Sequence, residues 1–137
     1  MNFKKSIGIL VVFLIVISSI GIVSASEVNI DDVKFNIPDG FKENTAESEV
    51  IKDSSGTTTI KCYENDEKEG ILIQLISMSE GRIEEVDPEP GDVNKTINGI
   101  EGFYNNDTTE FKFTADGKLI FVSAHDESLL NQILIKQ

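Results

Sequence analysis

The chain has one cysteine, one histidine, two tyrosines, three prolines and no tryptophan in 137 residues. Each shortage removes a class of protein. With Cys62 alone there is no internal disulfide, so a small cystine-stapled scaffold is excluded and the domain must be held by its core. With His125 alone there is no His/Cys cluster of the kind that binds zinc or copper. Sugar-cleaving sites pair two carboxylates in a cleft with stacking aromatics; without Trp, and with only Tyr63 and Tyr104, that inventory is thin. The glycines stand singly, in turns, and no phosphate-binding glycine loop occurs. Basic residues are also scarce, 12 against 24 acidic ones. Residues 1–25 contain two of the lysines and no acid, which leaves ten bases against 24 acids in residues 26–137, a net charge of −14. Such a surface repels nucleic acid and anionic lipid headgroups.

What is present begins with "MNFKKSIGILVVFLIVISSIGIVSASE". Lys4 and Lys5 precede an apolar run from Ile7 to Val23, and Val23-Ser24-Ala25 is the small-residue pattern that signal peptidase accepts. A spanning helix needs about 20 apolar residues and a signal core about 7–15, and this run lies between. Cleavage between Ala25 and Ser26 is expected; the alternative is an uncleaved hydrophobic helix that anchors the chain. In both cases the lysines hold the N-terminus inside and residues 26–137 face outward. If uncleaved, the N-terminal segment is the only part expected to touch the membrane.

Residues 26–137 suit one small domain. Val33, Phe35 and Ile37 alternate with polar residues as in a half-buried strand, and Pro38-Asp39-Gly40 supplies a turn. A weaker segment follows from Phe41 to Ile51. "TTTIKCYE" reads as a strand that points Ile60 and Cys62 the same way, with the thiol buried and inert. "NDEKEG" reads as a charged turn. It offers Asn65, Glu67 and Glu69 before Gly70, but the calcium loop's glutamate position, six residues after the glycine, is Ile76. "ILIQLISM", Ile71 to Met78, is apolar almost throughout, as in a central strand covered on both faces. "SEGRIEEVDPEPGD", residues 79–92, is an acidic exposed loop with a short helix or edge strand at Arg82–Val86. Asn98-Gly99 and Asp116-Gly117 mark hairpin turns. Between them "TEFKFT" turns Phe111 and Phe113 inward and Glu110 and Lys112 outward. In "HDESLLNQILIK", Asp126 is the N-cap, and Leu129, Leu130, Ile133 and Leu134 form one apolar stripe. The expected fold is α+β: a mainly antiparallel sheet covered on one face by a C-terminal helix, a two-layer sandwich.

"VKFNIPDGF", "KTINGIEGFY" and "FKFTADGKLIFVSAHDESLLNQILIK" together resemble the PsbP-like α/β sandwich, over about two thirds of residues 26–137 and in pattern only. The resemblance implies a hairpin that opens the sheet and a strand pair that leads into a helix packed on it. The shared motifs are turns and core positions, and they assign no residue a role. The chain is also similar to small exported proteins of methane-producing archaea.

For chemistry, a triad would have to use His125, with Asp126, Ser123 and Ser128 nearby in sequence. Adjacent residues do not line up nucleophile, base and acid. No catalytic residue, metal ligand or cofactor is expected. Asn94-Lys95-Thr96 and Asn106-Asp107-Thr108 are sequons, both placed in loops, with Asn94 and Asn106 as acceptors. The expectation is a non-catalytic extracytoplasmic domain that contacts a cell-surface protein or a small ligand. The alternatives are a weak divalent-cation or small-ligand module built on loop 79–92 and, less favoured, a small hydrolase.

Overall fold

The computed structural model describes residues 25–137, so the hydrophobic N-terminal helix expected above lies outside the described residues. Ten strands and one helix follow: β1 (Ala25–Ile30), β2 (Val33–Pro38), β3 (Lys42–Glu43), β4 (Glu49–Lys52), β5 (Gly56–Glu64), β6 (Gly70–Met78), β7 (Asp92–Ile97), β8 (Ile100–Asn105), β9 (Glu110–Ala115), β10 (Lys118–Ala124) and α1 (Glu127–Ile133). The main sheet runs β3-β5-β6-β10-β9-β8-β7, with β4 also paired to β5, and its strand pairs are antiparallel. This is an α+β sandwich of mostly antiparallel sheet and one short C-terminal helix.

The inner face follows from register. Tyr63, Ile71, Ala124 and Lys61, Ile73, Val122, Phe111 form cross-strand rows, as do Thr59, Leu75, Ile120 and Phe113. The phenylalanines and the β6 and β10 residues of these rows are at most 2 % exposed, apart from Ala124, which packs at the core margin. Gly102 lets β8 close onto β9: a Cβ there would collide with the Lys112 carbonyl oxygen.

The covering layer holds more than the helix. β1 and β2 form a separate two-stranded sheet whose Val33, Phe35 and Ile37 enter the same core. Its turn, Asp31-Asp32, has positive φ at both residues, 50° and 71°, the geometry of a hairpin of primed type, where Asn or Gly is the usual signal. The Thr59 hydroxyl donates to Asp31 Oδ2 at 2.6 Å and ties the turn to β5. Ala25 and Ser26, the expected cleavage pair, are the first two residues of β1 and face Pro38 and Ile37.

α1 buries Leu129, Leu130 and Ile133 beside β2 and β10. Asp126 caps it, accepting from the Leu129 N–H at 2.9 Å. The Asn98 side chain, in the β7–β8 turn, donates to the Asn131 and Leu134 carbonyls at 2.8 and 2.7 Å and so satisfies the other end. Removing the cap with Asp126→Ala is expected to cost about 1 kcal/mol, read as a lower urea midpoint at unchanged slope.

Residues 79–91 are irregular, without the short helix or edge strand expected at Arg82–Val86. They have to carry the chain from β6 to the far edge at β7, and they cross the outer face as a strap. The Ile83 N–H donates to the Gly117 carbonyl at 2.8 Å, and the Thr114 hydroxyl to the Glu84 carbonyl at 3.3 Å. Under the strap's end Lys112 pairs with Asp92, their side chains 4 % and 2 % exposed. Lys112 does point outward, as alternation predicts, but the strap buries it.

Asp92 also accepts from the Glu89 N–H and the Asn105 amide, at 2.8 and 3.1 Å. Together with Lys112, the largest influence, these bonds hold its carboxyl below the usual range. Asn94 sits in β7, an edge strand and not a loop, with its residue exposed. Asn106 occupies the β8–β9 turn, as expected.

Candidate functional site

Strand alternation sends a second set of residues to the face away from α1. Ile60 and Cys62 from β5, Leu72, Gln74, Ile76 and Met78 from β6, and Leu119 and Phe121 from β10 all point there. The register joins them: Cys62 lies beside Leu72, Ile60 beside Gln74 and then Phe121, and Ile76 beside Leu119. The result is a continuous, mostly apolar patch over three neighbouring strands. "ILIQLISM" is therefore covered fully on one face only. The strap passes over β9 and β10 near the Gly117 turn and leaves Leu72 37 % and Met78 51 % exposed. Ile51, at the β4 edge of the same face, is 46 % exposed.

At one end of the patch lies an open groove of about 310 Å³. Cys62, Leu72 and Ser123 line it from the sheet, His125 from the β10–α1 junction, and Asn44 and Glu47 from the β3–β4 connection. That connection folds over β5 through Ser48, whose hydroxyl donates to the Asn44 carbonyl at 3.0 Å and accepts from the Cys62 N–H at 3.1 Å. Cys62 is thus half-buried in a groove wall, not sunk in the core. It shares a face with Ile60 as expected, but Thr59 and Tyr63 hold the core face of β5, so the shared face is the outer one.

Burial, and then the negative charges of Glu47 and Glu43, push the Cys62 thiol up, so it stays protonated and is a poor nucleophile. Its Sγ lies 3.5 Å from the Glu47 carbonyl oxygen. His125, 55 % exposed, has its Nε2 3.5 Å from a Glu69 carboxylate oxygen. Among the described residues no hydrogen bond links His125 to Cys62, Ser123 or Ser128. Asn65 uses its side-chain oxygen to accept from the Glu67 and Glu69 N–H groups, which makes "NDEKEG" a self-bonded turn. In loop 79–92 the carboxylates diverge: Glu84 meets Arg82 at 2.8 Å while Asp92 turns under the strap. Among the described residues no three His, Cys, Asp or Glu side chains gather to hold a metal ion.

Negative charge rims the patch. Glu47 and Glu49 stand on the β4 side, Glu64 at the groove and Glu110 on the β9 side, and none forms an ion pair among the described residues. Burial pushes the Glu110 carboxyl up, opposed by Lys112. With a folded pKa above its unfolded one, Glu110 favours the fold only when protonated, and that contribution is lost as pH rises through the folded value. Glu110→Gln is therefore expected to raise the melting temperature at pH 7. The gain should vanish below the ordinary glutamate pKa of about 4.3.

Sequence reading located Cys62 and His125 but not their shared groove, which arises only because β6 lies between β5 and β10. It missed the patch as well. The available signal was that "ILIQLISM" and "KLIFVSA" are apolar on both faces, while residues 26–137 offer one short amphipathic helix to cover them. In comparisons with known proteins, the chain matches no family model, no curated protein and no solved structure. Among the described residues no helix is long and apolar enough to cross a membrane.

Proposed function

We propose that residues 26–137 form a non-catalytic binding domain that works outside the cytoplasm, at the cell surface, by contact with a protein. The observation that carries this reading is the apolar outer face of β5, β6 and β10, continuous and only partly covered by the strap. Apolar surface of this kind, rimmed by polar residues, is what interaction sites expose. The outward placement rests on Lys4, Lys5 and the apolar run that follows them. The protonated thiol and the unlinked histidine favour binding over hydrolysis, and diverging carboxylates in loop 79–92 weigh against a cation module. The resemblance to the PsbP-like sandwich is part of this proposal and concerns the fold alone.

A photo-crosslinking residue placed at Leu72 and, separately, at exposed Gln132 on α1 tests the reading in intact cells. The expected result is one discrete adduct from position 72, lost when Ile60 is also changed to Glu, and none from position 132. Equal adducts from both positions, or none from position 72, would reject it.

A further inference from the structure

The outer-face groove also carries information about what it binds, an inference that rests on the binding-domain reading. Leu72, 37 % exposed, lies on its floor, and the groove opens onto the apolar patch, where Ile60 and Phe121 are partly buried. Its walls carry Glu47 and Glu64, Glu49 stands on the adjoining edge strand, and Glu110 closes the β9 side. Of the lysines on or near this face, Lys112 is engaged with Asp92, while Lys42, across from Glu64 on β3, forms no ion pair among the described residues; Lys61, paired with Glu43 at 3.2 Å, lies on the inner face. An occupant therefore meets an apolar floor inside a rim that is net negative, four glutamates against one free lysine among the described residues, Lys42.

Charge then discriminates among occupants. A second copy of this acidic chain, docked face to face, would oppose the same glutamates across a twofold axis. An anionic lipid surface would meet the same repulsion. We propose that the groove takes a short apolar, cationic segment of a partner protein, its apolar side chains on Leu72, Ile60 and Phe121 and its Lys or Arg side chains against Glu47, Glu49 and Glu64. The floor supplies most of the affinity and the rim supplies choice and salt dependence.

Three fluorescent peptides of equal length test this, alternating Leu with Lys, with Ser or with Glu. Anisotropy is read at low salt and at physiological salt. The Leu/Lys peptide is expected to bind and the Leu/Glu peptide not to. Glu47→Gln/Glu64→Gln should weaken the Leu/Lys peptide about tenfold at low salt, and Leu72→Glu should remove binding. Both glutamates are at the surface, so the double variant keeps the fold, and an unchanged urea midpoint confirms it. Equal binding of the Leu/Ser and Leu/Lys peptides would overturn the cationic assignment. Unaltered binding in both variants would show a general attraction to the acidic surface and overturn the site. A sedimentation dimer dispersed by Leu72→Glu would show that a second copy covers the face, and would overturn the proposal too. If no peptide binds while the position-72 adduct still forms in cells, the occupant's chemistry is wrong and the binding domain stands. If both fail, the binding reading falls with it.

Discussion

Phe35→Ala is expected to cost about 3–5 kcal/mol, the range for removing a fully buried aromatic ring. Phe35 is 0 % exposed, and its backbone bridges to Leu134 just after α1. It is the point where the β1–β2 hairpin, the helix and the main sheet meet. Because small domains are stable by about 5–15 kcal/mol, the loss is a large share of the total. Urea denaturation gives the measurement: the midpoint should fall steeply while the slope stays that of one cooperative unit. Val28→Ala, on the same hairpin but at the margin of the core, should cost far less. A Phe35→Ala midpoint as high as that of Val28→Ala would mean that the hairpin is an appendage to the sheet.

Lys112→Ala is expected to cost about 3 kcal/mol, the low end of the range for breaking a buried ion pair, because a single strap separates it from water. The change strands the Asp92 carboxylate, which keeps its bonds from Glu89 and Asn105 but loses its cation. The pH dependence has a defined sign. The folded carboxyl of Asp92 is depressed, so its contribution is present above the unfolded value of about 3.9 and fades as pH falls through the folded one. The gap between the original protein and Lys112→Ala should therefore narrow in acid. Lys112→Met/Asp92→Asn, which removes both charges, should recover much of the loss at pH 7. Chemical unfolding of the three proteins at neutral and acid pH checks each point. Equal losses in the single and double variants would show that the pair contributes through shape and not through charge.

Much of the sheet was legible from short-range chemistry. Asn98-Gly99 and Asp116-Gly117 turn with positive φ at each residue, as their side chains allow, and the strands around them follow the alternation of Phe111, Phe113, Ile120 and Val122. The helix was legible from its stripe and from Asp126. The first hairpin was not, because Asp31-Asp32 is a weak signal for a primed turn. Lys112 and Cys62 show a different limit. Alternation gave the face of Lys112 correctly, but its burial was decided by a strap that arrives from elsewhere in the chain. For Cys62 the partner residue was right and the side of the sheet was wrong, because Ile60 is apolar without belonging to the core. The candidate site was hidden for the same reason: which of two apolar faces stays open depends on the path of residues 79–91, and that path is not written in local periodicity.

The placement of β10 between β6 and β9 also means that β6 gains its second neighbour from a strand distant in sequence. β5 and β6 are neighbours in sequence and can pair early. The other edge of β6 pairs with β10, which follows the whole β7–β9 meander in sequence. Such distant pairing is slow, because loop closure comes before the contacts that reward it. Until β10 is in place, "ILIQLISM", free of charge and rich in β-formers, has a bare edge of the kind that recruits other chains. A polypeptide that stops short of Lys118 would thus be a nucleus for aggregation and not a smaller domain, and the final strand acts as the molecule's own chaperone.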